Sequence, residues 1–204
     1  RRADAQGAAQ ARREAAERLG VDPGAPTLLV TGGSLGALHV NESMTGAADA
    51  LPEGAQVVHL TGRGKDEPVR AAVEDAGLSD RWHVIDYLTT MEDALAVADL
   101  VVCRSGAGTV AEMEALGLPC IYVPLPIGNG EQRLNAADHV AAGGAQLIDD
   151  KDFTADFVRR NVFPLLGSTR LADMAAASQS LGRAGAARAL ADLALEQVKE
   201  AGNE

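Results

Sequence analysis

The sequence predicts a doubly wound α/β fold, a Rossmann-like parallel sheet of about six strands with helices on both faces. Three observations predict it. Short apolar runs such as Thr27–Thr31 and Leu100–Cys103 alternate with helical stretches along the chain. Each run is continuously apolar instead of alternating, the pattern of a strand buried on both faces. No two neighbouring runs are joined by a hairpin signal.

The elements follow in order. Residues 8–19 place Ala, Arg and Glu at helical spacing and stop at Gly20, and Pro23 and Pro26 mark a turn. The first strand, Thr27–Thr31, leads into Gly32-Gly33-Ser34-Leu35-Gly36 and then a helix over 38–51. Strand, glycine turn and helix in that order open a nucleotide-binding α/β unit. A second strand over 56–61 is followed by a turn at Gly62 and Gly64 and a helix over 66–76. A third strand spans 82–86, and a short helix over 90–97 carries Met91 and Leu95. The fourth strand, 99–103, ends in Ser105-Gly106-Ala107-Gly108-Thr109-Val110-Ala111-Glu112. Here Thr109 is the expected N-cap of a helix running to Gly117, and Glu112 stands at capping-box spacing from it. The fifth strand covers 120–123 and is closed by Pro124 and Pro126. A helix over 131–142 presents Leu134, Ala137 and Val140 on one face, and a sixth strand covers 144–148. Helices are expected at 154–165, 169–180 and 184–199, before a frayed tail. Three segments result: a helix and linker over 1–26, the main α/β domain over 27–165, and helices packing on it over 166–204.

Composition narrows the function. A hydrophobic fraction of 47% supports a full core, and with aromatics at 3% that core is built from Val, Leu, Ile and Ala. A net charge of −11 excludes the basic footprint of a nucleic-acid binder. It also argues against this segment lying on an anionic membrane. The two cysteines, Cys103 and Cys120, sit inside apolar runs and read as free, buried thiols of a cytosolic protein. No Cys/His cluster supports a metal site. There is no signal peptide and no apolar run of membrane-spanning length. The chain begins at Arg1 without Met, so a fragment with an incomplete active site is expected.

In an open parallel sheet, ligands bind at the carboxyl ends of the strands. Two glycine loops entering helices fall there, together with residues 87–91 and 125–135. Helix N-termini offer unpaired N–H groups and a positive dipole end, so a diphosphate suits them. The Walker pattern is absent. The dinucleotide pattern is only loosely matched, and no acidic residue ends the second strand, which disfavours NAD. Ser34 either donates to a phosphate or caps its helix. Glu112 either caps or accepts both hydroxyls of a ribose. Glu131 and Gln132 hold sugar hydroxyls or are first-turn polar residues, and Asn135 braces the loop. His39, His59, His83 and His139 read as structural or surface residues, and the Asp149–Asp150 pair as a solvated turn.

Four stretches resemble the MurG family. They are Gly32-Gly33-Ser34-Leu35-Gly36-Ala37 with Asn41, the run from Cys103 to Glu112, Gly117-Leu118-Pro119, and Val123-Pro124-Leu125-Pro126 through Asn135-Ala136. The match keeps order and spacing over essentially the whole chain and looks most like the actinobacterial branch. The resemblance implies the C-terminal, donor-binding half of an inverting GT-B glycosyltransferase. Such enzymes move N-acetylglucosamine from UDP-N-acetylglucosamine to lipid I, giving lipid II for peptidoglycan. It implies that Gly33 and Ser34 contact the diphosphate. Leu88 meets the uracil through its backbone, with Met91 beside it. Gly106, Ala107, Gly108, Thr109, Val110 and Ala111 line diphosphate and sugar. Glu112 holds the ribose, Gln132 with Glu131 holds the sugar, and Arg1 faces the base.

The catalytic base, the lipid I acceptor site and the peripheral contact with the cytoplasmic face of the membrane are implied to belong to an absent N-terminal half. The fragment is therefore expected to bind donor without a metal or cofactor and without catalysing transfer. Leu35 departs from the family's usual Gln, and Gly108 from a bulky apolar residue, which makes that loop more mobile. Two alternatives remain at this point: a related GT-B transferase with another acceptor, and a non-catalytic nucleotide-binding module.

Overall fold

The structure is a computed structural model. It describes residues 2–33, 36–127 and 129–181. Six strands form one sheet: β1 (Thr27–Thr31), β2 (Gln56–Leu60), β3 (Trp82–Ile85), β4 (Leu100–Cys103), β5 (Cys120–Tyr122) and β6 (Ala145–Leu147). Their order is β3-β2-β1-β4-β5-β6, and each neighbouring pair is parallel. The expected Rossmann-like class is observed. The order reverses between β1 and β4, which opens a crevice at their carboxyl ends.

The continuous apolar runs now have a cause. Successive side chains of one strand enter opposite faces, and both faces are buried. Leu28 and Val30 of β1 join Val57, Leu100, Val102 and Ile121 on one face. Leu29 joins Val58, Val101, Cys103 and Tyr122 on the other. The first face is covered by α2 (Leu38–Thr45), α3 (Asp66–Asp75) and α9 (Thr169–Leu181), through Val40, Met44, Val69, Val73, Leu171 and Met174. The second is covered by α1 (Arg2–Leu19), α4 (Met91–Val97) and α5 (Ala107–Leu116), through Ala15, Ala16, Leu95, Val110 and Met113. Each large side chain so buried contributes about 1.5–3 kcal/mol.

Polar anchors fix α1 to the strand entrances. The Arg12 guanidinium donates from both terminal nitrogens to the Asp99 carboxylate at 3.1 and 2.9 Å. It also donates to the carbonyls of Pro23 and Ala25, while Asp99 accepts the Thr27 N–H. Arg18 donates to Asp93 and holds that carboxyl below the usual carboxylate range. Residues on either side of the 20–26 turn are thus stitched to the start of β1.

Several helices differ from expectation. The helix over 38–51 stops at Thr45 and resumes as a single 3₁₀ turn, Ala48–Ala50. The expected helix over 131–142 is two short ones, α6 (Glu131–Asn135) and α7 (Ala137–Ala141), broken at Ala136. The break rotates the buried face: Ala136 and His139 point inward, whereas Leu134 is 76% exposed. The helix over 154–165 is α8 (Ala155–Phe157), a π-turn over Val158–Val162 and a 3₁₀ turn over Phe163–Leu165. The expected helix at 184–199 lies outside the described residues.

Two of the histidines are structural, as expected. His139 is fully buried between the Tyr122 hydroxyl at 2.9 Å and the Ser178 hydroxyl at 2.7 Å, which ties α7 and β5 to α9. His59 is also fully buried, and desolvation lowers its pKa to about 3. Burial lowers those of His83 and His139 as well. A histidine held neutral in the fold protonates first in the unfolded chain. Stability is therefore full above the unfolded value near 6.5 and falls as pH drops below it. His59 alone is expected to remove stability at up to about 1.4 kcal/mol per pH unit between roughly pH 6.5 and 3. Urea denaturation from pH 7.5 to 4.5 tests this; His59→Gln is expected to flatten the slope by about one proton.

Candidate functional site

The carboxyl ends of β1, β2 and β4 open into a cleft of about 270 Å³. Its lining brings together Gly33, Leu88, Met91, Thr109 and Glu112, which lie in three separate parts of the sequence. Gly33, two residues past the end of β1, has φ of +83°, a backbone that glycine adopts freely. Its carbonyl accepts the Gly36 N–H at 2.8 Å. Ser34, Leu35 and Arg1 lie outside the described residues.

The second loop is shorter than expected. Helix α5 begins at Ala107, and its N-cap is Gly106, which has no side chain with which to cap. Thr109 is therefore the third helical residue and not the cap. Glu112 lies a full turn inside the helix, so the capping-box reading fails. Gly108 likewise sits in the first helical turn and not in a loop, with open space where a side chain would stand. The N–H groups of Ala107, Gly108 and Thr109 have no intrahelical acceptor. That of Val110 is bonded to the Gly106 carbonyl, and the Val110 side chain is in the core. Ala107, Gly108, Ala111 and Glu112 are exposed. Glu112, on the cleft wall, has no salt bridge or hydrogen bond among the described residues, so its carboxylate is available to a ligand.

At the other end of the cleft, Leu88 and Met91 are half-buried against the second core face. Tyr87 carries the Arg63 guanidinium over its ring at 3.7 Å. Asp86 accepts the Gly64 N–H at 2.6 Å and fixes the 62–64 turn. Cys103 forms part of the floor. Its thiol is raised well above the ordinary range by a hydrogen bond with Cys120 and by burial, so it is no nucleophile.

Glu131 and Gln132 line a second, adjoining cavity of about 430 Å³ instead of the first. The Gln132 Oε1 accepts the Leu125 N–H at 2.9 Å, and Asn129 donates to Glu131. Asn135 donates to the Ser105 carbonyl at 3.1 Å, which braces the start of α5 from α6.

One residue joins the two cavities, and sequence reasoning missed it. Arg104 lines the cleft, and its Nη1 donates to the carbonyls of Val123 and Pro124 and to Asp150, which lines the second cavity. Asp149 pairs with Arg133. The expected solvated turn at Asp149–Asp150 is thus a pair of arginine acceptors, with the Asp150 side chain only 14% exposed. The signal in the sequence was Arg104 itself, a cation placed directly at the end of a buried strand.

A family model, the glycosyltransferase family 28 C-terminal domain, matches residues 27–190. Curated relatives bear the name UDP-N-acetylglucosamine–N-acetylmuramyl-(pentapeptide) pyrophosphoryl-undecaprenol N-acetylglucosamine transferase. That of Paenarthrobacter aurescens is 47% identical over 88% of this chain and 48% of its own length. That of Streptomyces coelicolor is 44% identical over 93% and 52%. The chain thus spans about half the length of the curated relatives it matches. A crystal structure of Acinetobacter baumannii MurG superposes with a TM-score of 0.74 at 27% identity, covering 88% of this chain and 52% of that one.

Proposed function

The chain belongs to the glycosyltransferase family 28 C-terminal domain family, in its MurG branch, and from that premise we propose that it is the donor-binding half of an enzyme transferring N-acetylglucosamine from UDP-N-acetylglucosamine to lipid I. The observation that carries the reading is the cleft at the β1/β4 reversal. It gathers Gly33, Leu88 and Met91 with Thr109 and Glu112 from the first two turns of α5. The uracil lies toward Leu88 and Met91, where apolar surface is half-buried. Glu112 accepts from the ribose hydroxyls. The diphosphate meets the N–H groups of Ala107, Gly108 and Thr109 and the glycine loop with Ser34, at the positive end of the α5 dipole. The sugar extends toward Gln132 and Glu131, along the bridge that Arg104 and Asp150 make.

Transfer by an inverting enzyme is direct displacement at the anomeric carbon by the acceptor hydroxyl, with UDP as leaving group. The α5 N–H groups stabilise the charge that grows on the departing diphosphate, which is electrostatic catalysis without a metal. The base that takes the hydroxyl proton, the lipid I contacts and the peripheral attachment at the cytoplasmic membrane face belong to the other half. Among the described residues no helix is long and apolar enough to cross a membrane.

Calorimetric titration of the chain with UDP-N-acetylglucosamine, with and without EDTA, tests the reading. Saturable binding unchanged by EDTA and poorly competed by UDP-galactose is expected. No binding at millimolar ligand, or binding only with a divalent ion, would overturn it.

A further inference from the structure

Beneath the first glycine loop runs a chain of buried polar side chains that the donor contacts above do not use. Trp82 on β3, His59 on β2 and Asn41 on α2 are 1%, 0% and 3% exposed. The Trp82 Nε1 lies 3.3 Å from His59 Nδ1, and His59 Nε2 lies 3.0 Å from Asn41 Oδ1. The Asn41 Nδ2 donates to the Thr61 carbonyl at 3.1 Å.

Both ends of this chain dictate the same arrangement. An indole N–H only donates, so His59 Nδ1 accepts. A carbonyl only accepts, so Thr61 faces the Asn41 amide nitrogen, and Oδ1 faces His59. His59 is then the neutral tautomer with its proton on Nε2, and every donor points toward Thr61. The Thr61 carbonyl is in turn the seat of the glycine loop: a Cβ built on Gly36 would lie 2.1 Å from that oxygen. The loop backbone therefore rests on an atom whose direction Asn41 sets.

We infer that Asn41 is a positioning residue for the diphosphate, held in one amide orientation by His59 and Trp82, and that it acts through the Thr61 carbonyl on the loop backbone at Gly36. The inference rests on the donor-site reading above. Without the indole N–H, His59 is free to carry its proton on Nδ1, and the Asn41 amide is free to turn. Its oxygen then opposes the Thr61 carbonyl, and the loop loses its seat.

The test compares UDP with uridine on the wild-type chain, Trp82→Phe and Asn41→Ala. Trp82 does not line the cleft, and its replacement keeps an aromatic ring against Phe163. Both variants are expected to lose about tenfold in UDP affinity while uridine affinity stays within about twofold. Nitrogen shifts of the His59 ring are expected to report the Nε2–H tautomer in the wild type and a mixture in Trp82→Phe. Equal losses for UDP and uridine, or unchanged UDP affinity in a folded variant, would overturn the inference, as would an Nδ1–H tautomer in the wild type. Should Asn41→Ala fail to fold, Trp82→Phe decides the matter alone. A wild-type chain that binds neither UDP nor uridine refutes the donor-site reading itself, and the inference with it.

Discussion

Glu112→Ala is expected to weaken UDP binding by about 30-fold or more, roughly 2 kcal/mol, while changing stability by no more than about 0.5 kcal/mol. The two halves of that expectation have separate causes. Glu112 is exposed on the second turn of α5 and has no salt bridge or hydrogen bond among the described residues. Removing it strands no partner, and alanine is the better helix former. Bound UDP would change the accounting. Each ribose hydroxyl donating to the carboxylate forms a charge-assisted hydrogen bond worth about 1.5–3 kcal/mol. A second ligand isolates the contact. Against 2′-deoxy-UDP the wild type is expected to bind more weakly than against UDP, and Glu112→Ala is expected to bind the two alike. The cycle assigns the loss to the ribose alone. Calorimetry and thermal melts on the same samples check both halves. A melting temperature that collapses while the affinity of the folded protein holds would make Glu112 a structural residue.

The sheet was legible in the sequence because its physics is local. A strand buried on both faces must be apolar at every position, and Leu28 to Val30 satisfy that with no knowledge of their neighbours. The glycine loops were legible for a related reason, since a turn with φ of +83° at Gly33 selects its residue. What sequence reading missed was set by distance along the chain. The Arg104–Asp150 contact joins residues 46 positions apart, so nothing beside Asp150 shows that it is spoken for. Period alone also misplaced Leu134. Helical spacing from 131 to 142 puts Leu134 with Val140, but the break at Ala136 resets the phase and leaves Leu134 in solvent. The α5 start was misjudged because Thr109 with Glu112 fits a cap pattern. Gly106 and the tight exit from β4 start the helix earlier, and tertiary placement overrides the local preference.

Gly36→Ala is expected to be the most damaging single substitution at the site, at about 3 kcal/mol or more of stability. Two costs add. Gly36 has φ of +67°, where an alanine Cβ costs about 1–2 kcal/mol from its own backbone. The new Cβ would also stand 2.1 Å from the Thr61 carbonyl oxygen and 3.0 Å from the Gly62 Cα. Both obstacles are backbone, one at the end of β2 and one in the adjoining turn, so relief requires the loop to lift from the sheet. Gly33→Ala separates the terms. Its φ of +83° is equally unsuited to alanine, but nothing lies within 4 Å of the position its Cβ would take. It is expected to lose only the conformational part, about 1–2 kcal/mol. Urea denaturation of the two variants measures the difference, which is the cost of the contact with Thr61. UDP titration of the folded Gly36→Ala protein then asks what the contact is for. If the loop must rest on Thr61 to present its N–H groups, UDP affinity falls with stability, and uridine affinity does not. Equal destabilisation by the two substitutions would mean that the loop floats free of β2, and its hold on a diphosphate would then have to come from α5 alone.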